Sequence, residues 1–108
     1  MPSPVPCVDV ADLPGDAVLL DVREPPEWAA GHAPHARHVP LGELAERLDE
    51  VPLDATVYVV CRSGVRSAWV TAYLNANGWH AVNVDGGMQA WQASGRAMVA
   101  RHGEPLVL

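Results

Sequence analysis

Seven consecutive residues, Cys61-Arg62-Ser63-Gly64-Val65-Arg66-Ser67, bring a thiol, two guanidinium groups, two hydroxyls and a glycine into one short loop. A thiolate is the nucleophilic form of cysteine. Its pKa falls from a free value of roughly 8.5 when helix N-terminal N–H groups, the helix dipole and guanidinium charge surround it. The same N–H groups and arginines suit an anion, because the first turn of a helix presents unpaired donors. The chemistry implied is covalent transfer through Cys61, with an anionic group held beside it. Gly64 lets such a loop close with its N–H groups turned inward. An arginine at a helix start is disfavoured by the dipole, so Arg66 implies an anion to pair with, whereas Arg62 faces either that anion or solvent. Two demands follow for the fold: the amides must point at the sulfur, and a reactant must be able to reach it.

The flanking segments position this loop. Val57-Tyr58-Val59-Val60 before it reads as a buried strand, and after it Val65, Trp69, Ala72, Tyr73 and Ala76 recur on one face of a helix that stops at Gly78. The same reading gives strands at Cys7–Val10, Ala17–Val22, Ala36–Val39 and Ala81–Val84, with Thr56–Val60 as the loop's own strand. Helical spacing appears in Glu24–Gly31, in Leu41–Leu48 and from Gly86-Gly87 to Gly95. Strands alternating with helices predict an α/β domain on a mainly parallel sheet, with its site at the carboxyl ends of the strands. Cys61 and Asp21 both fall on that edge. One domain is expected over 1–108, with residues 1–6, which hold three prolines, as an extended lead-in. The tail, 101–108, could dock, meet a partner or be disordered.

Four blocks in order resemble the rhodanese family of sulfurtransferases: Leu20-Asp21-Val22-Arg23-Glu24, Gly31-His32-Ala33-Pro34-His35-Ala36, the Cys61–Ser67 loop, and Asp85-Gly86-Gly87-Met88-Gln89-Ala90-Trp91. The resemblance implies a three-layer domain whose five strands run in the order 1-5-4-2-3, with the Cys61 strand central and helices on both faces. It implies that Cys61 takes a sulfane sulfur from thiosulfate or a persulfide donor, becomes a persulfide, and yields that sulfur to a thiol, cyanide or protein acceptor. Arg62, Ser63, Gly64, Val65, Arg66 and Ser67 would bind the substrate, and no cofactor is called for. Related phosphatases and arsenate reductases place five residues between cysteine and arginine; here there are four, Arg62 to Val65, a tighter cup suited to a persulfide sulfur. His35 stands where the family commonly has glycine, and Val65 where relatives are often polar.

Composition narrows the alternatives. The chain has 108 residues, a net charge of −6 and no lysine, which leaves no Schiff-base chemistry and no electrostatic footing for nucleic acid. Cys7 and Cys61 match neither a disulfide framework nor a zinc site. No apolar run approaches the ~18 residues of a membrane span. The first residues lack the features of a secretory signal, and a reducing cytoplasm is expected. His32, His35 and His38 recur every third position, but Pro34 interrupts any helix that would align them, and no metal is expected. Asp21 and Arg23 read as a structural ion pair. A phosphatase or arsenate reductase on this scaffold and a persulfide carrier dependent on a protein partner are the alternative functions.

Overall fold

Apolar side chains alternate between the two faces of a parallel sheet, and each face gathers its own core. The computed structural model describes residues 5–108; positions 1–4, most of the proline-rich lead-in, lie outside the described residues. Five strands form the sheet: β1 (Cys7–Asp9), β2 (Val18–Asp21), β3 (Arg37–His38), β4 (Thr56–Val60) and β5 (His80–Asp85). Their order is β1-β5-β4-β2-β3, every neighbouring pair parallel, as the resemblance implies. Three helices accompany them: α1 (Pro25–Ala30), α2 (Val65–Ala76) and α3 (Gly87–Ser94).

The period-2 geometry of a strand sends Val57 and Val59 of β4 to one face and Val60 to the other. On the first face they pack with Leu20, Val22, Val70, Leu74 and Ala81, beneath α2 and the 41–50 segment. On the second, Val60 packs with Leu19, Val84, Met88 and Trp91, beneath α3. β4 is thus covered on both sides, which is why it reads as an unbroken apolar run. Leu74 is fully buried, and truncating it to alanine would cost about 2–5 kcal/mol.

Two segments depart from the sequence expectation. Leu41–Leu48 does not form an α-helix but two 3-10 turns, Leu41–Glu46 and Leu48–Glu50. Pro40 and Pro52 bracket a segment that contains Gly42, so a longer helix has little room to propagate, and within the two turns only Leu44 is buried. In α2 the apolar face expected to pack is the one that meets solvent: Val65 and Trp69 are 76% and 60% exposed. The buried face is Ser67, Val70, Thr71 and Leu74, also at helical spacing. Its two hydroxyls are satisfied within the structure: that of Ser67 reaches Cys61, and that of Thr71 donates to the Ser67 carbonyl at 2.7 Å.

Candidate active site

Cys61 follows the last residue of β4, where the chain leaves the sheet and turns into α2. Gly64 makes the turn with φ +106, a left-handed conformation that a side chain would strain, and α2 begins at Val65. The thiol sits at the head of that helix. Its Sγ accepts hydrogen bonds from the Gly64 N–H at 3.1 Å, the Ser67 N–H at 3.3 Å and the Ser67 hydroxyl at 3.2 Å. The loop's carbonyls are drawn the other way. Met88 N–H donates to the Cys61 carbonyl at 2.7 Å, and Gln89 N–H to that of Arg62 at 3.0 Å. Asn83 Nδ2, on β5, donates to the Gly64 carbonyl at 3.2 Å. Two helix N-termini therefore meet at Cys61: α2 turns its amides toward the sulfur, and α3 satisfies the carbonyls behind it. Gly87 is required for that approach, since a Cβ there would collide with the Cys61 carbonyl.

Burial by itself would push the Cys61 thiol up. The Ser67 hydroxyl and the N–H groups of Ser67, Gly64 and Ser63 outweigh it and hold the thiol below its ordinary value. The helix-start N–H groups expected from the sequence are among these donors, the Ser67 hydroxyl adds to them, and the Arg66 charge couples to Cys61. Both arginines are engaged elsewhere. Arg66 makes a two-pronged pair with Glu27 of α1, Nη1 to Oε1 at 2.8 Å and Nη2 to Oε2 at 2.9 Å. Arg62 donates from Nε to the Leu108 carbonyl at 2.6 Å. The second demand on the fold meets a correction. Cys61 is 1% exposed, so the sulfur is enclosed rather than open, while Ser63 and Val65 turn outward.

A rhodanese-like domain model matches residues 9–94. The chain belongs to the rhodanese-like domain family. It is 43% identical over 74 residues to a putative sulfurtransferase of Bacillus subtilis, YtwF, covering 68% of this chain and 72% of that one. It is 41% identical over 93 residues to a protein named sulfurtransferase from Allochromatium vinosum, covering 85% and 79%. Among solved structures, a rhodanese-related protein of Thermoplasma volcanium superposes with a TM-score of 0.82 at 33% identity, over 87% of this chain and 97% of the other.

Around the loop of this rhodanese-like domain, the remaining candidates fall into place. Asp21 and Arg23 form the buried pair expected of them: Nε and Nη2 of Arg23 reach the Asp21 carboxylate at 2.8–3.1 Å, both side chains 0% exposed. Arg23 also donates to the Gly31 carbonyl at 2.8 Å, tying down the end of α1. His32 and His38 do not converge on a common point. Each stacks on Trp28, at ring centroid distances of 3.5 and 4.6 Å, and each has one nitrogen hydrogen-bonded to a backbone carbonyl. His35 takes the left-handed conformation its glycine-like position demands, with φ 65. Cys7, on β1, is exposed and Cys61 is buried, and both are free thiols.

The tail is docked. Val99 bridges His32 in antiparallel fashion, and the N–H groups of Arg101 and Leu106 donate to the carbonyls of Ala29 and Ala30 at 3.0 and 2.9 Å. This carries Leu108 to Arg62. A cavity of about 480 Å³ lined by Leu13, Pro34, His35, Trp91 and Arg96 lies toward the amino ends of the strands and does not include Cys61. Among the described residues, no helix is long and apolar enough to cross a membrane. Sequence reasoning missed two residues that shape the loop, Glu27 and Asn83, and named Ser67 without foreseeing its hydroxyl contact with Sγ. A polar residue inside the apolar run of β5 was the available signal for Asn83.

Proposed function

We propose that this rhodanese-like domain is a sulfurtransferase whose Cys61 thiolate accepts a sulfane sulfur and passes it to a second nucleophile. The observation that carries this reading is the set of three hydrogen bonds aimed at Sγ from the head of α2. They favour the thiolate before reaction, and the same donors suit the negative charge of a Cys61 persulfide after it. In the first half-reaction the thiolate attacks the outer sulfur of thiosulfate or of a persulfide, and the donor's S–S bond breaks. Sulfite or a thiolate leaves. In the second, an acceptor thiol or cyanide attacks the outer sulfur of the Cys61 persulfide and the free thiolate returns. Arg62, Ser63, Gly64, Val65, Arg66 and Ser67 form the substrate-binding loop in this reading. A reducing compartment such as the cytoplasm suits two free cysteines.

Two half-reactions through a covalent intermediate call for ping-pong kinetics, with parallel lines when donor and acceptor are varied. Cys61→Ser should abolish transfer with the thermal unfolding curve little changed, since serine fits the same space. Retained transfer by that variant would overturn the proposal. A second reading, a persulfide carrier that works with a protein partner, draws support from the 1% exposure of Cys61. Slow turnover of thiosulfate beside rapid exchange of persulfide sulfur with a protein would favour it.

A further inference from the structure

The pair between Arg66 and Glu27 bears on which donor the loop accepts. Arg66 lies close enough to Cys61 for their charges to couple, and it is the arginine that ends the loop. Both of its terminal nitrogens are committed to both oxygens of Glu27, a fork-to-fork pair that leaves this guanidinium face closed to another anion. Glu27 is not a loose surface side chain. It occupies the third position of α1, where its carboxylate accepts the Glu24 N–H at 3.0 Å while the Glu24 side chain reciprocates toward the Glu27 N–H. α1 itself is anchored by Arg23, through the carbonyls of Gly31 at 2.8 Å and Glu27 at 3.4 Å. The carboxylate is thus delivered to Arg66 by a preorganised element, and its side chain is 16% exposed against 33% for the arginine.

Charge around the sulfur then disfavours a dianion. Glu24 adds a second carboxylate whose field Arg66 also feels. The thiolate is itself negative, the whole chain carries −6, and Arg62 is partly committed to the Leu108 carbonyl. Thiosulfate brings two negative charges to this place. A persulfide brings at most one to its reacting end, on a single slender sulfur, whatever charges the rest of the donor carries farther away.

We propose that Glu27 is a specificity-determining residue: by occupying Arg66 it withholds the anion-binding guanidinium from thiosulfate and selects persulfide donors. The proposal rests on the sulfurtransferase reading above. In the favoured step the Cys61 thiolate attacks the terminal sulfur of R–S–SH. A new S–S bond forms to Cys61, the donor S–S bond breaks, and R–S⁻ leaves and takes up the persulfide proton. No oxidant or reductant is consumed.

The test compares kcat/KM for thiosulfate and for glutathione persulfide in the wild type, in Glu27→Gln and in Glu24→Gln. Glutamine keeps the size and the capping bond of Glu27 but removes the charge that holds Arg66. The ratio of thiosulfate to persulfide kcat/KM is expected to rise about tenfold or more in Glu27→Gln, chiefly through a lower KM for thiosulfate, the scale of one charge-assisted contact freed for a new partner. In Glu24→Gln, which removes equal charge without touching Arg66, the rise should be several times smaller. An unchanged ratio in Glu27→Gln, or an equal rise in both variants, overturns the assignment while sulfur loading on Cys61 still stands. Loading from neither donor, in any of the three proteins, overturns the sulfurtransferase reading and the assignment with it.

Discussion

Two arginine–carboxylate pairs lie on the same edge of the sheet and do different work. Asp21–Arg23 is sealed at 0% exposure on both sides, with the guanidinium also bound to the Gly31 carbonyl. Glu27–Arg66 makes equally short contacts, but a third of its arginine and a sixth of its carboxylate remain in solvent. The first cannot exchange partners, because no water or substrate reaches it and an unpaired charge there is very costly. The second can, because solvent compensates either charge when the pair opens. Burial rather than contact distance separates a strut from a contact that a ligand can replace. The strut matters to the exchangeable pair: Arg23 fixes α1, and α1 presents Glu27.

Breaking the strut should have the largest effect. Asp21→Asn leaves the Arg23 charge buried without its counterion, and about 3–5 kcal/mol of stability should be lost, read by urea denaturation. A loss below 1 kcal/mol would mean that the two pairs do not differ as described. Opening the exchangeable pair should matter less. Glu27→Gln should cost about 1–2 kcal/mol at pH 7, less than its pKa displacement alone would give, because part of the pair is screened by solvent.

The pH dependence sharpens that difference. The hydrogen bonds from Arg66 are the largest influence on Glu27. With the Glu24 N–H and the Arg66 and Arg23 charges, they outweigh partial burial and take its carboxyl from 4.5 down to about 2. A depressed carboxyl contributes stability that is complete above its unfolded pKa and lost as pH falls through its folded one. The stability gap between wild type and Glu27→Gln should therefore be constant above about pH 5, narrow below 4.5 and close near 2. A gap that closes already at pH 4 would show that Arg66 does not hold Glu27 in solution. The smallest effect on stability belongs to Ser67→Ala. It removes one hydroxyl donor from Sγ, so the thiol should titrate at higher pH, and the pH midpoint of Cys61 alkylation by iodoacetamide should move upward.

The sheet was legible because its central strands are covered on both faces and so appear as continuous apolar runs, Ala17–Val22 and Thr56–Val60 above all. The Cys61 loop was legible because its chemistry is local: thiol, glycine and helix start fall within seven residues. The buried face of α2 was not. Two of its four positions, Ser67 and Thr71, are hydroxylated, and an apolar pattern passes over polar residues that are buried because they hydrogen-bond there. Val65 and Trp69 gave the stronger apolar signal and lie on the outward side, while Tyr73 packs at the margin of the core. The partners of the arginines were also out of reach: Glu27 is 39 positions from Arg66, and Leu108 is 46 from Arg62. The docking of the tail on Ala29, Ala30 and His32 is long-range too and leaves no mark in local spacing. His35 shows the opposite case, where a glycine-like position in a recognised block foretold its positive φ.

The most direct measurement is mass spectrometry of the wild-type protein after mixing with glutathione persulfide, intact and then as peptides. One added sulfur is expected, carried by the peptide that contains Cys61, removed by an acceptor thiol and absent from Cys61→Ser. Sulfur found on Cys7, or no addition at all, would contradict it.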